Sequence, residues 1–187
     1  MYVADVTLRQ SDEPARGHER AGLLRWLHRD TGTPDGGNDP GSYDPEAVAQ
    51  VLRFARRFFG LGKYFALDVR GMEHVPRKPV MVVSNHSGGT SIPAVWGFGY
   101  AWYQHFGLDR PIHPLAHEII MSTRTTARFF GRIGVLRAGR GVAADVLTRW
   151  GRDLLVMPSG DVDTWRPYRE RYTVRFGGRT GYARTAI

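Results

Sequence analysis

Two short apolar runs stand out in the chain, and each empties into a polar turn. Pro79–Ser84 reads PVMVVS, β-branched in its middle, and Leu154–Pro158 reads LLVMP. Continuous apolar runs of this length predict strands buried on both faces, as in a parallel sheet. Ala66–Arg70 and Ile112–Ala116 predict two more strands. Between and after them, Ile92–Phe106, Thr123–Phe130 and Val142–Trp150 carry helical spacing, and a further helix is expected to begin near Gly178–Arg184. Strands alternating with helices predict an α/β domain with a mixed, largely parallel sheet flanked by helices. In such sheets the chemistry gathers at the carboxyl ends of strands. Asn85-His86 and Ser159-Gly160 both fall at such ends.

Ahead of this domain, Asp44, Pro45 and Glu46 predict a helix start: a capping carboxylate, proline in the first turn and an acid beside it. Val48, Val51, Leu52, Ala55, Phe58 and Phe59 then fall on one face, with Arg53, Arg56 and Arg57 on the other. Such a helix either docks on the core or lies on a membrane surface. The expected organisation is an amphipathic helix over residues 46–65 and an α/β domain over residues 66–187. Residues 1–45, rich in Asp, Gly and Pro, read as a flexible tail, with a short helix around Glu19–Arg29.

Charge sharpens the picture. The 26 basic and 18 acidic side chains give a formal net charge of +8. All of that excess follows residue 123: residues 124–187 hold 13 arginines against 5 acids, and residues 1–123 balance. The basic half calls for an anionic partner: phosphate, acidic lipid, a phosphorylated cofactor or nucleic acid. Cysteine is absent, which excludes a disulfide framework, a thiolate metal site and a cysteine nucleophile. The first 20 residues lack the apolar core of a signal peptide, and no segment reaches the roughly 18 apolar residues of a spanning helix. The expected location is the cytoplasm, peripheral to the inner face of the membrane.

The strand at 66–70, Gly71, Val75-Pro76, the strand at 79–84 and Asn85-His86 together resemble the opening of the catalytic block of glycerolipid acyltransferases. A second block, a glycine and then an arginine six residues on, is similar to Gly131 through Arg137. A third, aromatic-Pro-Glu-Gly, is similar to Met157-Pro158-Ser159-Gly160. His-Ser-Gly-Gly at residues 86–89 also resembles the His-Pro-His-Gly block of the mono- and diacylglycerol acyltransferase branch.

The resemblance implies that an alcohol of a glycerolipid attacks a thioester carbonyl, with acyl-coenzyme A or an acyl carrier protein as co-substrate and no other cofactor. Histidine, which ordinarily titrates near 6.5, suits proton removal at neutral pH, so His86 is the expected base. The family's aspartate five residues on is Ser91 here, and its third-block glutamate is Ser159. Asp161 and Asp163 are the nearest acids that replace the aspartate in orienting the imidazole, Asp161 being preferred with Ser91. Backbone N–H groups near Gly160 are expected to meet the oxyanion. Asn85, Pro158, Ser159 and Arg137 are expected to bind substrate, Arg137 through a phosphate. The family's fourth block does not appear before Ile187, so a C-terminally truncated catalytic domain is expected.

Other chemistries fit less well. Neither Ser87 nor Ser159 stands in a Gly-x-Ser-x-Gly frame. His113 and His117 are four apart, but their order does not match a helical metal pair, and no metal is expected. Aromatics and arginines interleave over Trp165–Tyr172 without a nucleic-acid module, so no nucleic acid is expected. A second function class is a catalytically impaired remnant that binds anionic lipid or a partner through the arginine-rich C-terminal half.

Overall fold

Both apolar runs form neighbouring strands of one parallel sheet. In the computed structural model, which describes residues 5–10, 38–60, 62–86, 92–165, 167–170 and 172–187, six strands are present. They are β1 (Asp5–Gln10), β2 (Phe65–Arg70), β3 (Met81–Val83), β4 (Ile112–Ala116), β5 (Leu136–Arg137) and β6 (Asp153–Val156). Among them run six helices: α1 (Pro45–Ala55), α2 (Pro93–Phe106), α3 (Arg124–Arg132), α4 (Arg140–Thr148), α5 (Asp161–Thr164) and α6 (Gly181–Ala186). The main sheet has the order β3-β6-β4-β5, with all neighbours parallel.

Side chains alternate across a strand, and here both faces are buried. Val82 and Leu155 face one cluster with Phe98 and Trp102 of α2. Met81, Val83 and Leu154 face another with Ala143 and Val146 of α4. The sheet is therefore covered on both sides, which is why its strands read as unbroken apolar runs rather than alternating ones.

α1 begins where its capping signal predicts: Asp44 Oδ1 accepts from Glu46 N at 3.0 Å and from Ala47 N at 3.2 Å. Its apolar face docks on the core, with Ala47 and Val48 packed among Met121, Ala127, Ile133 and Val135. The helix ends at Ala55 rather than continuing to residue 65. A turn over 56–58 and Gly60 (φ +129°) let the chain double back, and Phe59 bridges to Phe65.

The N-terminal region also departs from expectation. β1 lies inside the segment read as a flexible tail, and it pairs antiparallel with β2, Val6 opposite Val69 and Leu8 opposite Leu67. The helix expected around Glu19–Arg29 falls outside the described residues.

His113 belongs to β4, paired with Leu154 of β6, so the His113–His117 spacing is not helical. Its Nδ1 lies 2.8 Å from the Gly134 carbonyl, to which it donates. His117 instead caps a short 3-10 turn, Nδ1 accepting from Ile119 N. Among the described residues no cluster of His, Asp and Glu could hold a metal.

Burial pushes the fully buried His113 imidazole down from 6.5 to about 4, against the opposing pull of the Gly134 carbonyl. Between these values the unfolded chain binds a proton that the folded chain refuses. The stability is complete above the unfolded value and is lost as pH falls toward the folded one, by about 3 kcal/mol in all. Thermal melts from pH 7 to pH 4 are expected to show this decline, and His113→Asn, which keeps a donor for Gly134 without titrating, is expected to flatten it.

Candidate active site

β3 and β6 run side by side, with Val83 opposite Val156. His86 lies three residues beyond the first and Ser159 three beyond the second, so both leave the sheet at the same level. Ser84 N–H donates to Val156 O at 3.0 Å and extends the ladder one step further.

From there α5 folds back. The backbone N–H of His86 donates to Asp163 Oδ2 at 2.9 Å. Asp163 is fully buried. A buried carboxylate on one loop thus pins the histidine-bearing loop beside it, across 77 residues of sequence. Sequence reasoning preferred Asp161; that residue opens α5, and Asp163 is the acid that bonds the histidine loop. Asn85 Nδ2 donates to the His86 carbonyl at 3.3 Å. Ser91 lies outside the described residues, and Ile92 just after it has φ +44°, a conformation that β-branched residues rarely adopt and that concentrates near functional sites.

The turn after β6 is tightly built. Gly160 N–H donates to Met157 O at 3.2 Å, and Val162 N–H donates to Ser159 O at 3.2 Å. The Gly160 N–H expected to meet an oxyanion is therefore engaged within the turn. Ser159 is fully buried, and its Oγ has no hydrogen-bond partner among the described residues. Buried polar atoms left unpaired are uncommon in folded proteins, and this one sits beside the histidine loop.

Gly160 has φ +53°, and a Cβ there would lie 2.6 Å from Arg179 Nη1. The same Arg179 Nη1 donates to Ser159 O at 2.9 Å. Gly160→Ala is expected to lower stability by about 1–2 kcal/mol through the left-handed backbone alone, and to push Arg179 off the turn. Urea unfolding checks the first effect. Loss of any binding that depends on Arg179 checks the second.

Arg137 is placed elsewhere. It ends β5, three strand positions from β3, which at about 4.8 Å per strand is roughly 14 Å. Its guanidinium pairs with Glu118 and donates to Met121 O at 3.3 Å. It lines a separate cavity with Asp44 and Arg132. The structure thus brings Asn85, His86, Pro158, Ser159 and Gly160 together and leaves Arg137 apart.

Two residues of this region were not singled out from the sequence: Arg179, and Arg140 at the start of α4. A run of arginines offers no internal signal of which member folds back on the turn. Compared with protein-family models, curated proteins and solved structures, the chain matches none of them, so the reading of this site rests on its geometry and on the blocks quoted above.

Proposed function

We propose that the protein is an acyltransferase that moves a fatty acyl group from a thioester donor to a hydroxyl of a glycerolipid, at a membrane surface that it does not cross. The observation that supports this most is the bond from His86 N–H to Asp163, which holds the histidine at the carboxyl end of β3 next to the Pro158–Gly160 turn. Among the described residues no helix is long and apolar enough to span a bilayer, which suits a peripheral mode of attachment.

In this reading the His86 imidazole accepts the proton of the acceptor hydroxyl as the oxygen bonds to the thioester carbonyl carbon. The carbonyl oxygen becomes an oxyanion. Its collapse breaks the carbon–sulfur bond, and the imidazolium returns the proton to the leaving thiolate, giving an ester and a free thiol. Asn85, Pro158 and Ser159 border the acceptor. Asp163 acts as a positioning residue through the His86 backbone. Asp163→Asn, which weakens a charge-assisted bond worth about 1.5–3 kcal/mol, is expected to lower kcat about tenfold or more with KM little changed. A panel of lysophospholipids and diacylglycerols with acyl-coenzyme A, followed by release of free thiol and formation of ester, tests the activity itself.

A second reading is a catalytically impaired chain that binds anionic lipid through its C-terminal half. It is favoured by Trp165 and Tyr172, 71% and 88% exposed, close in sequence to Arg169 and Arg175. Aromatics among arginines suit an anionic interface. Co-sedimentation with anionic vesicles and no thioester turnover would mark this reading as the correct one.

A further inference from the structure

His113 is fully buried in β4, an interior strand of the sheet, and is only half satisfied. Its Nδ1–H donates to Gly134 O, while Nε2 has no hydrogen-bond partner among the described residues. Unpaired buried polar atoms are uncommon, so a titratable one inside a sheet needs a reason. The segment over residues 39–44 covers it. The Tyr43 ring stands edge-on to His113, centroids 6.2 Å apart, and stacks on Tyr103 of α2 at 6.5 Å. Gly134 (φ +86°) permits this approach: a Cβ there would lie 3.2 Å from Tyr43 Cδ2 and 3.4 Å from His113 Nδ1.

The segment is tied at a few points. The Tyr43 hydroxyl donates to Leu108 O at 2.9 Å, and Arg152 Nη1 donates to Pro40 O at 2.6 Å. Asp44 N–H donates to Arg132 O at 2.8 Å, and the Asp44 carboxylate pairs with Arg132. β4, in contrast, is bonded to β6 on one side and to β5 on the other. An imidazole in water titrates near 6.5, and burial holds this one near 4. Between those values a proton is taken up only by an opened form in which the ring meets water. Opening the segment breaks the ties just named; opening the sheet breaks two ladders as well. The segment therefore opens first.

The groups around the imidazole agree with this assignment. Burial holds the hydroxyls of Tyr43 and Tyr103 above their usual value, so both stay neutral. Asp109 bears on Tyr43. Arg152, just before β6, opposes a second positive charge; Asp153 favours one but is engaged with Arg110. Burial raises the Asp44 carboxyl, yet Arg132 and the first N–H groups of α1 outweigh it and hold it below 3.8. Asp44 thus stays ionised over the range in which His113 responds.

We propose that residues 39–44 form a proton-operated strap: protonation of His113 releases it and frees α1 from its seat on Met121, Ala127, Ile133 and Val135. The device goes beyond the acyl-transfer reading and stands without it, because no step of that chemistry uses these residues.

The test is hydrogen–deuterium exchange of the whole chain at pH 7 and pH 4.5, corrected for the intrinsic pH dependence of exchange. By linkage, the opening constant of residues 40–55 is expected to rise roughly 50-fold between the two. At pH 4.5 the sheet is expected to stay at least about tenfold better protected than the strap. His113→Asn is expected to cut the rise to less than about threefold. Tyr43→Phe, which removes the tie to Leu108 but keeps the ring, is expected to raise opening about fivefold at both pH values, with the pH response retained. If His113→Asn does not fold, the wild type and Tyr43→Phe decide. One opening constant shared by strap and sheet, a strap indifferent to pH, or an undiminished response in His113→Asn would overturn the proposal.

Discussion

Asp153→Ala is expected to destabilise the fold by about 3–5 kcal/mol, the range for removing one partner of a buried ion pair. Asp153 opens β6 and is almost fully buried. Its Oδ2 accepts from Arg110 Nε at 2.7 Å, and its Oδ1 accepts from Arg110 Nη2 at 3.1 Å and from Val80 N at 2.9 Å. Arg110 is held by more than charge: its guanidinium lies 4.5 Å from the Phe106 ring centroid and 5.1 Å from that of Trp102. It also donates to Pro76 O at 2.7 Å. Removing the carboxylate leaves a sheltered cation and a buried N–H without their acceptor. The joint β3–β6 would loosen first, and that joint carries the site. Urea unfolding should show a lower midpoint with an unchanged slope. Arg110→Met/Asp153→Leu is expected to recover much of the loss, since apolar pairs often replace buried ion pairs well.

His86→Ala is expected to lower acyl transfer by about 10²–10⁴-fold, the usual contribution of a general base. The histidine is not a pillar of the core. It is half-buried at the end of β3, and the bond to Asp163 is made by its backbone, which alanine retains. The thermal midpoint should therefore move little while activity falls. The pH profile separates this from a structural effect. The wild-type rate should rise as the imidazole loses its proton, and the variant should lack that limb.

Three of the four strands of the main sheet were legible, β3 and β6 because both their faces are buried, while the two-residue β5 was not. Met81–Val83 and Asp153–Val156 lie inside the apolar runs or within one residue of them. α2, α3 and α4 also start and stop within a few residues of their expected bounds, and α6 begins inside the expected stretch, since helical spacing is a local signal; α5, a single short turn at Asp161–Thr164, was not expected. β1 was not legible. Val6 and Leu8 alternate with Thr7 and Arg9, but six residues in a polar stretch do not announce a partner sixty positions away. The end of α1 was missed for a similar reason: Phe58 and Phe59 keep the helical spacing, while the Phe59–Phe65 bridge that stops the helix forms only in the fold.

At the site, the two loops were legible as loops after buried strands. Their contents were not fully so. Asp161 and Asp163 flank Val162 and look alike in sequence; that Asp163 is fully buried and accepts from the His86 N–H is evident only in the fold. Arg137 was expected as a phosphate ligand only through the resemblance of Gly131–Arg137 to the family's second block; its pairing with Glu118, 19 residues earlier, is a tertiary fact. The positive charge of the C-terminal half proved to be partly organised, with three of its arginines around one cavity.

In the proposed function, the His86–Asp163 junction supports transfer of an acyl group from sulfur to oxygen. The most direct measurement presents acyl-coenzyme A carrying a labelled acyl chain to the wild-type chain and to His86→Ala, on vesicles containing lysophosphatidate and diacylglycerol, and separates the lipid products. A labelled ester with stoichiometric free thiol is expected for the wild type, and at least about a hundredfold less for the variant. Equal ester formation by the two chains, or no labelled ester from a folded wild-type chain, would contradict it.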